Sequence, residues 1–374
     1  MPMPPRVTYI VAQVDKAVAF EWLADLIDPS EFELRFILLN AGPSHLEDEL
    51  MRRRIAVDRV VYRGYRDLPA AAIRVLRLLR SRRPRIVHAH MLPACIVGLV
   101  AATLTGVPMR VYTRHHSTFH HEYAPKWVLI DRVLNALATH IVAISQNVFD
   151  VLHDLERVPR SKLRVVRHGF RFEDFDSVPK ERVDRLRDRY DLNGKRPVIG
   201  VIARCIAWKG HADIVPAATH VLEHYPDAVF VFANARGSSD VLGLIRSLPK
   251  RNVREIPFEP DLFALYRLFT LHVHTPVNSK IEAFGQTYVE ALIAGVPSVF
   301  TLSGIATEFI EHERNALVVP YRSPDRIADA VLRLLGSHEL RAALVEQGRR
   351  DVEPRFAVTT MTDALVHLYR EASL

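Results

Sequence analysis

From end to end of the 374 residues, short β-type runs alternate with helical ones, and this alternation restricts the chain to an α/β fold. The first half carries apolar runs at 7–11, 35–39, 57–61, 86–89, 110–113, 140–144 and 163–166, with helical stretches such as 17–27, 68–81 and 126–137 between them. The second half repeats the pattern with runs at 198–203, 229–234, 253–256, 271–274, 298–301 and 316–319. Most are continuously apolar, as strands buried on both faces of a parallel sheet must be. Between the halves, 173–196 is charged and lacks the strand pattern, so it reads as an interdomain linker with a flanking helix. The expectation is two Rossmann-like domains, 1–176 and 177–354, with parallel sheets facing a central cleft at the strands' carboxyl ends, where such folds bind ligands. The last segment, 355–374, is helical and has no strand partner, which leaves it to pack elsewhere.

Composition removes several classes. Hydrophobic residues make up 49% and charged residues 25%, which is ordinary for a folded protein. The two cysteines, Cys95 and Cys205, lie in apolar stretches, which argues against a disulfide-stapled scaffold or a cysteine-rich zinc site. No apolar run approaches the ~20 residues that span a bilayer, and the opening stretch from Met1 to Arg6 lacks the regions of a signal peptide. The expected location is the cytoplasm, or the inner face of its membrane. A net charge of +7 suits phosphate-bearing ligands, anionic lipid or nucleic acid, and equally suits an arginine-rich chain with solvated faces.

The most informative stretch runs from Glu282 through Phe284, Gly285, Gln286 and Glu290 to Gly295 and Pro297. Gly295 and Pro297 stop a helix that starts near Gly285 and ends near Ala294. The amides at its start, around Phe284 to Gln286, offer donors to an anion or to sugar hydroxyls. At about 1.5 Å per residue, eight positions separate Glu282 and Glu290 by roughly 12 Å at most. That exceeds the about 5–9.5 Å of a glycosidase pair and suits two hydrogen-bonding posts on an extended ligand. Upstream, directly after the run at 198–203, Arg204 and Lys209 stand on a loop where cations meet a diphosphate.

These motifs, in this order, resemble the family 4 retaining glycosyltransferases of GT-B fold. The likeness extends to the strand ending His88-Ala-His90, to Val142–Ser145, to Val166–Phe170 with His168 and Gly169, and to Gly304–Glu308 and Asn315–Pro320. It implies that Arg204 and Lys209 hold the donor diphosphate, that Glu282 with the amides of Phe284 and Gly285 holds the sugar hydroxyls, and that Glu290 accepts from the ribose. It further implies that residues 255–258, with Ile256 and Phe258, line the base, that transfer proceeds with retention and without a metal or other cofactor, and that the closing helix returns to the first domain. The partners so implied are a nucleotide-sugar donor and an unidentified acceptor (glycan, lipid-linked or small molecule), with no nucleic acid.

In the first half, four histidines follow a strand within seven residues: His115, His116, His120 and His121. In similar enzymes a histidine two after a threonine here contacts the donor sugar. Thr113-Arg114-His115 matches best, with His116 as second choice. A metal on His116 and His120 is the rival reading, disfavoured because the zinc-hydrolase pattern is absent. Two departures stand out. The first strand-to-helix loop has Lys16 where the family often has paired glycines, and Ser303-Gly304 replaces a double glycine. Arginines at 74, 77, 80, 82, 83 and 85 form a stripe expected to lie opposite Ile73, Leu76 and Leu79; a solvated face is the weightier reading and a membrane-facing surface the alternative. The alternatives to transfer are another reaction on the same fold (sugar-nucleotide epimerisation or cyclitol coupling) and a non-catalytic nucleotide- or nucleic-acid-binding protein.

Overall fold

The computed structural model describes residues 4–194 and 197–371. Residues 1–3 of the opening stretch, Lys195 and Arg196 of the expected linker, and 372–374 of the expected last helix lie outside them. The chain divides into two compact units, one made of Met1–Phe170 with Val358–Leu374, the other of Arg171–Ala357.

The first unit holds a seven-stranded parallel sheet in the order β3-β2-β1-β4-β5-β6-β7. Its strands are β1 (Arg6–Ala12), β2 (Glu33–Asn40), β3 (Ala56–Val61), β4 (Ile86–His90), β5 (Met109–Arg114), β6 (His140–Ala143) and β7 (Leu163–Val165). The second unit holds six parallel strands in the order β10-β9-β8-β11-β12-β13. These are β8 (Val198–Ile202), β9 (Val229–Ala233), β10 (Val253–Ile256), β11 (Leu271–His274), β12 (Ser298–Phe300) and β13 (Leu317–Val318). Every expected run is a strand, with ends moved by a residue or two. The reason is burial: Val7, Tyr9, Ile10 and Val11 of β1, and Ile199 and Val201 of β8, are shielded on both faces by helices. In each sheet the order reverses beside the first strand, between β1 and β4 and between β8 and β11. Loops leaving such a pair diverge and open a crevice at their carboxyl ends.

The second unit begins before the expected boundary. The helices Phe172–Asp176 and Lys180–Arg189 belong to it rather than to a linker. Phe175 is buried edge-to-face against Phe263, 4.6 Å between ring centres, and its carbonyl accepts from Arg267 at 2.6 Å. The charged residues around Phe175 conceal one anchoring aromatic. At the far end, the helix His338–Phe356 breaks at Ala357, whose backbone is extended, and the helix Val358–Arg370 belongs to the first unit. There the Tyr369 hydroxyl meets the Tyr9 hydroxyl at 2.5 Å and His88 Nδ1 at 2.6 Å, all buried.

The arginine-bearing helix Leu68–Arg82 buries Ala71, Val75 and Leu79, an i, i+4 row. Ile73 is 54% exposed and shares the solvent side with Arg77 and Arg80, so the expected apolar face is corrected: Ile73 belongs to the arginine side.

Candidate active site

In the second unit, the crevice between β8 and β11 is fixed by one close approach. Gly210 has φ +78°, and a Cβ there would stand 1.9 Å from the Thr275 carbonyl oxygen. Only glycine lets the loop after β8 touch the loop after β11; Val277 N donating to Trp208 O at 3.1 Å ties the same two loops. Gly210 also caps the helix His211–His224.

This contact delivers Lys209 to Glu282. Their side chains form a short ion pair, 14% and 9% exposed. His274, the last residue of β11, lies 3.4 Å away through Nε2 from the same carboxylate oxygen. Burial works against charge on Glu282, but Lys209 and His274 outweigh it and hold the carboxyl well below the usual range. The Glu282 backbone is fixed as well: its N–H donates to Ser303 Oγ at 3.2 Å. A Cβ on Gly304, which has φ +56°, would stand 2.8 Å from the carbonyls of both Glu282 and Phe284. The Ser303 hydroxyl and the close approach at Gly304 thus hold the Glu282 backbone from two sides.

The helix Gln286–Ile293 follows, with Gly285 at its cap in the left-handed region, φ +85°. A Cβ there would meet the Tyr288 ring at 2.7 Å. Helical geometry leaves the first-turn N–H groups without intrahelical acceptors, and Glu282 and Lys209 precede that turn. Phe284 turns its ring inward, edge-to-face with Phe356 at 6.0 Å, which withholds the ring from a ligand. Gln286 is exposed and Glu290 partly buried. Tyr266 donates its hydroxyl to Glu290 Oε2 at 3.0 Å. Burial raises the Glu290 pKa from its ordinary 4.5 to about 7, against the Tyr266 hydrogen bond. Aromatic contacts from Tyr266 to His272 (5.9 Å) and His272 to His274 (6.2 Å) join this post to the Glu282 cluster.

Arg204 is exposed at the start of the loop after β8, its carbonyl accepting from His211 Nε2 at 3.0 Å. The next residue pairs with the β9 loop: Cys205 N donates to Arg236 O at 2.9 Å and Ser238 N to Cys205 O at 2.7 Å. Arg236, a cation the sequence reading missed, thus lies beside Arg204 in the chain-to-chain pairing, with its guanidinium 5.0 Å over the Phe258 ring. Phe258 is 51% exposed, whereas Ile256 is buried and its carbonyl accepts from Ala235 N at 3.0 Å.

In the first unit, His115 follows β5 and its Nε2 meets His90 Nδ1 at 3.1 Å, with the His168 ring stacked at 5.8 Å. Burial, reinforced by neighbouring imidazoles, lowers the His115 pKa to about 3, so the ring is neutral at pH 7. His116 turns the other way, to Asp131. Lys16 is exposed on a loop shaped by its neighbours: Asn40 exchanges hydrogen bonds with the Val14 backbone at 3.1 and 2.8 Å, and Asp15 accepts from His45 N at 3.1 Å. The missed partners, His274, Ser303, Tyr266 and Arg236, left one trace in the sequence: histidines alternating within an apolar strand, at 272 and 274.

Comparison with known proteins bears on this arrangement. The family described as glycosyl transferases group 1 matches residues 183–351, and the family described as glycosyltransferase family 4 matches residues 23–173. A GDP-mannose-dependent alpha-(1-6)-phosphatidylinositol monomannoside mannosyltransferase of Mycobacterium tuberculosis is 29% identical over 223 residues, and the chain spans 57% of that relative's length, using 57% of its own. An alpha-D-kanosaminyltransferase of Streptomyces kanamyceticus is 27% identical over 326 residues, 80% of this chain and 81% of that one. Among solved structures, HepE of Anabaena in complex with UDP-glucose superposes with a TM-score of 0.82 at 18% identity, covering 98% of this chain and 99% of that one. With two parallel-sheet Rossmann-like units and both family matches along its length, the chain belongs to the family 4 glycosyltransferases of GT-B fold.

Proposed function

We propose that the chain transfers a hexose-type sugar from a nucleoside-diphosphate donor to an acceptor, with retention at the anomeric carbon. One observation carries the reading: Lys209 and His274 converge on the single carboxylate of Glu282 at the point where the strand order of the second unit reverses. A fully ionised carboxylate accepts from sugar hydroxyls. Lys209 and Arg204 supply fixed positive charge to the diphosphate, and the first-turn amides of the Gln286–Ile293 helix add oriented dipoles. Ribose hydroxyls donate to Glu290, and Phe258 offers a ring face to the base.

In the transfer, the acceptor oxygen bonds to the anomeric carbon as the bond from that carbon to the diphosphate breaks. The acceptor proton passes to the departing phosphate oxygen on the same face. Charge grows on the diphosphate as this happens, and cations fixed in advance stabilise it without reorganising. No step needs a metal or other cofactor. His115, neutral at pH 7, acts as a hydrogen-bonding group and not as a cation. UDP-glucose bound to HepE, and the GDP-mannose of the mycobacterial relative's name, support a nucleotide-sugar donor.

No helix among the described residues is long and apolar enough to cross a membrane. The face bearing Ile73, Arg77 and Arg80 supports peripheral contact with an anionic membrane, and with it a lipid-linked acceptor. The test is a thermal-shift screen of nucleoside diphosphates and their sugars on the native chain and on Arg204→Ala and Lys209→Ala. One nucleotide is expected to stabilise the native chain and to lose its effect in Lys209→Ala. No shift with any of them refutes the donor assignment; a labelled donor that yields no glycosylated product refutes the transfer.

A further inference from the structure

A second cluster of chemistry-bearing side chains lies in the first unit and has no part in the donor assignment. His116 follows β5, His120 sits in the short helix Phe119–Tyr123, and Asp131 lies on the helix Val128–Leu137. His116 Nε2 stands 3.1 Å and His120 Nδ1 2.6 Å from Asp131 Oδ2, and the three donor atoms lie within 4.8 Å of one another. We propose that His116, His120 and Asp131 form a binding site for one divalent transition-metal ion of the zinc class.

The donor set is two imidazole nitrogens and one carboxylate oxygen, which suits zinc or cobalt and leaves a fourth position for water. The spacing is close to what coordination needs. A tetrahedral ion at about 2.1 Å separates its ligands by about 3.4 Å, so the two contacts open by less than about 1 Å. The His116 side chain is 21% exposed, which provides an entry path, whereas Asp131 is fully buried.

Two further observations point to a cation. Asp131 Oδ2 takes three donors, His116, His120 and Arg114 Nη2 at 3.0 Å, while Asp131 Oδ1 is buried without a partner. A carboxylate offers about four acceptor positions over its two oxygens. One oxygen crowded and the other bare is the pattern of a monodentate ligand rather than of a saturated acceptor. The second is charge. Arg114 is shared with Glu156 in a short contact, and the side chains of Arg114, Asp131 and Glu156 are all at most 1% exposed. Two carboxylates against one guanidinium leave a buried negative charge, which is costly unless matched. His121, with Nε2 3.2 Å from Glu156 Oε1, faces the other carboxylate. A divalent ion would place positive charge against this deficit, and it would tie the segment after β5, which carries His115, to the Val128–Leu137 helix.

The test uses the full chain, freed of any histidine tag, stripped with a chelator and titrated with Co²⁺ and then Zn²⁺ at neutral pH. Visible cobalt absorption and calorimetry report stoichiometry, and circular dichroism reports folding. An exposed trio, His220, Glu223 and His224, is a competing surface chelator, so a His220→Ala/His224→Ala chain is measured in parallel. The expected result is one equivalent of ion bound with four- or five-coordinate cobalt bands. These persist in the His220→Ala/His224→Ala chain, weaken at least tenfold in His116→Ala and vanish in His120→Ala. Should His120→Ala fail to fold, His116→Ala, on the partly exposed loop, decides alone. The proposal is overturned if the native chain shows no saturable binding, if binding survives substitution of His116, or if it disappears with His220 and His224.

Discussion

Replacing Glu290 with glutamine removes a titration and keeps an acceptor for Tyr266, whose hydroxyl lies 3.0 Å from Oε2. Burial lifts the Glu290 pKa from 4.5 to about 7. The folded value lies above the unfolded one, so folding favours the protonated carboxyl. That stability is fully present below about pH 4.5 and is lost as pH rises through about 7. A rise of about 2.5 pH units at 1.36 kcal/mol each sets a ceiling near 3.4 kcal/mol, and the partial exposure of the side chain brings this to about 2 kcal/mol. For a folding unit of this size, 1 kcal/mol is worth about 2–4 °C in Tm. Between pH 5 and pH 8 the unliganded native chain should therefore lose about 4–8 °C relative to Glu290→Gln in the transition of the second unit.

Differential scanning calorimetry on both chains across that range is the assay. Two pH profiles that run parallel would refute the account of Glu290 as a carboxyl raised by burial. Nucleotide binding offers an independent reading of the same group. Ribose hydroxyls donate best to the ionised form, so binding near pH 7 releases a proton. Calorimetric titrations in two buffers of different ionisation enthalpy should differ for the native chain and coincide for Glu290→Gln. Equal heats in both buffers for the native chain would remove Glu290 from the ribose site.

Other outcomes follow from geometry already described. Gly210→Ala places a Cβ 1.9 Å from the Thr275 carbonyl in left-handed backbone; a loss of more than about 3 kcal/mol is expected in urea unfolding of the second unit, and a native-like midpoint would contradict the close approach. Lys209→Met strips Glu282 of its principal charge partner and should cost about 2–4 kcal/mol at neutral pH. The deficit shrinks on acidification as Glu282 takes a proton, and a deficit that does not change with pH would argue against the pair. Tyr369→Phe leaves His88 Nδ1 buried without its 2.6 Å partner. About 1–3 kcal/mol should disappear from the first unit, and an unchanged denaturation midpoint would show that the contact carries no weight.

The strands were legible because burial on both faces writes an unbroken apolar run, and the Gln286–Ile293 helix because Gly285 and Gly295 punctuate it. The boundary at Arg171 was not, since one buried ring, Phe175, does its work inside a charged stretch where composition outvotes it. Of the site, Lys209 and Glu282 could be read from their place after a strand and before a helix. His274 and Ser303 could not, because their contacts with Glu282 exist only once β8, β11 and β12 lie side by side. Ile73 was misassigned because three apolar residues at 73, 76 and 79 mimic a face that the row 71, 75 and 79 occupies.

The helix Val358–Arg370 has a consequence for synthesis on the ribosome. Tyr9 of β1 waits for Tyr369, so the unit that contains β1 is closed only after the second unit has been translated. The segment Arg171–Ala357 emerges whole in the meantime and has every strand of its own sheet. A stop codon that removed only the final few turns would spare the unit made in the middle and open the one made at the start.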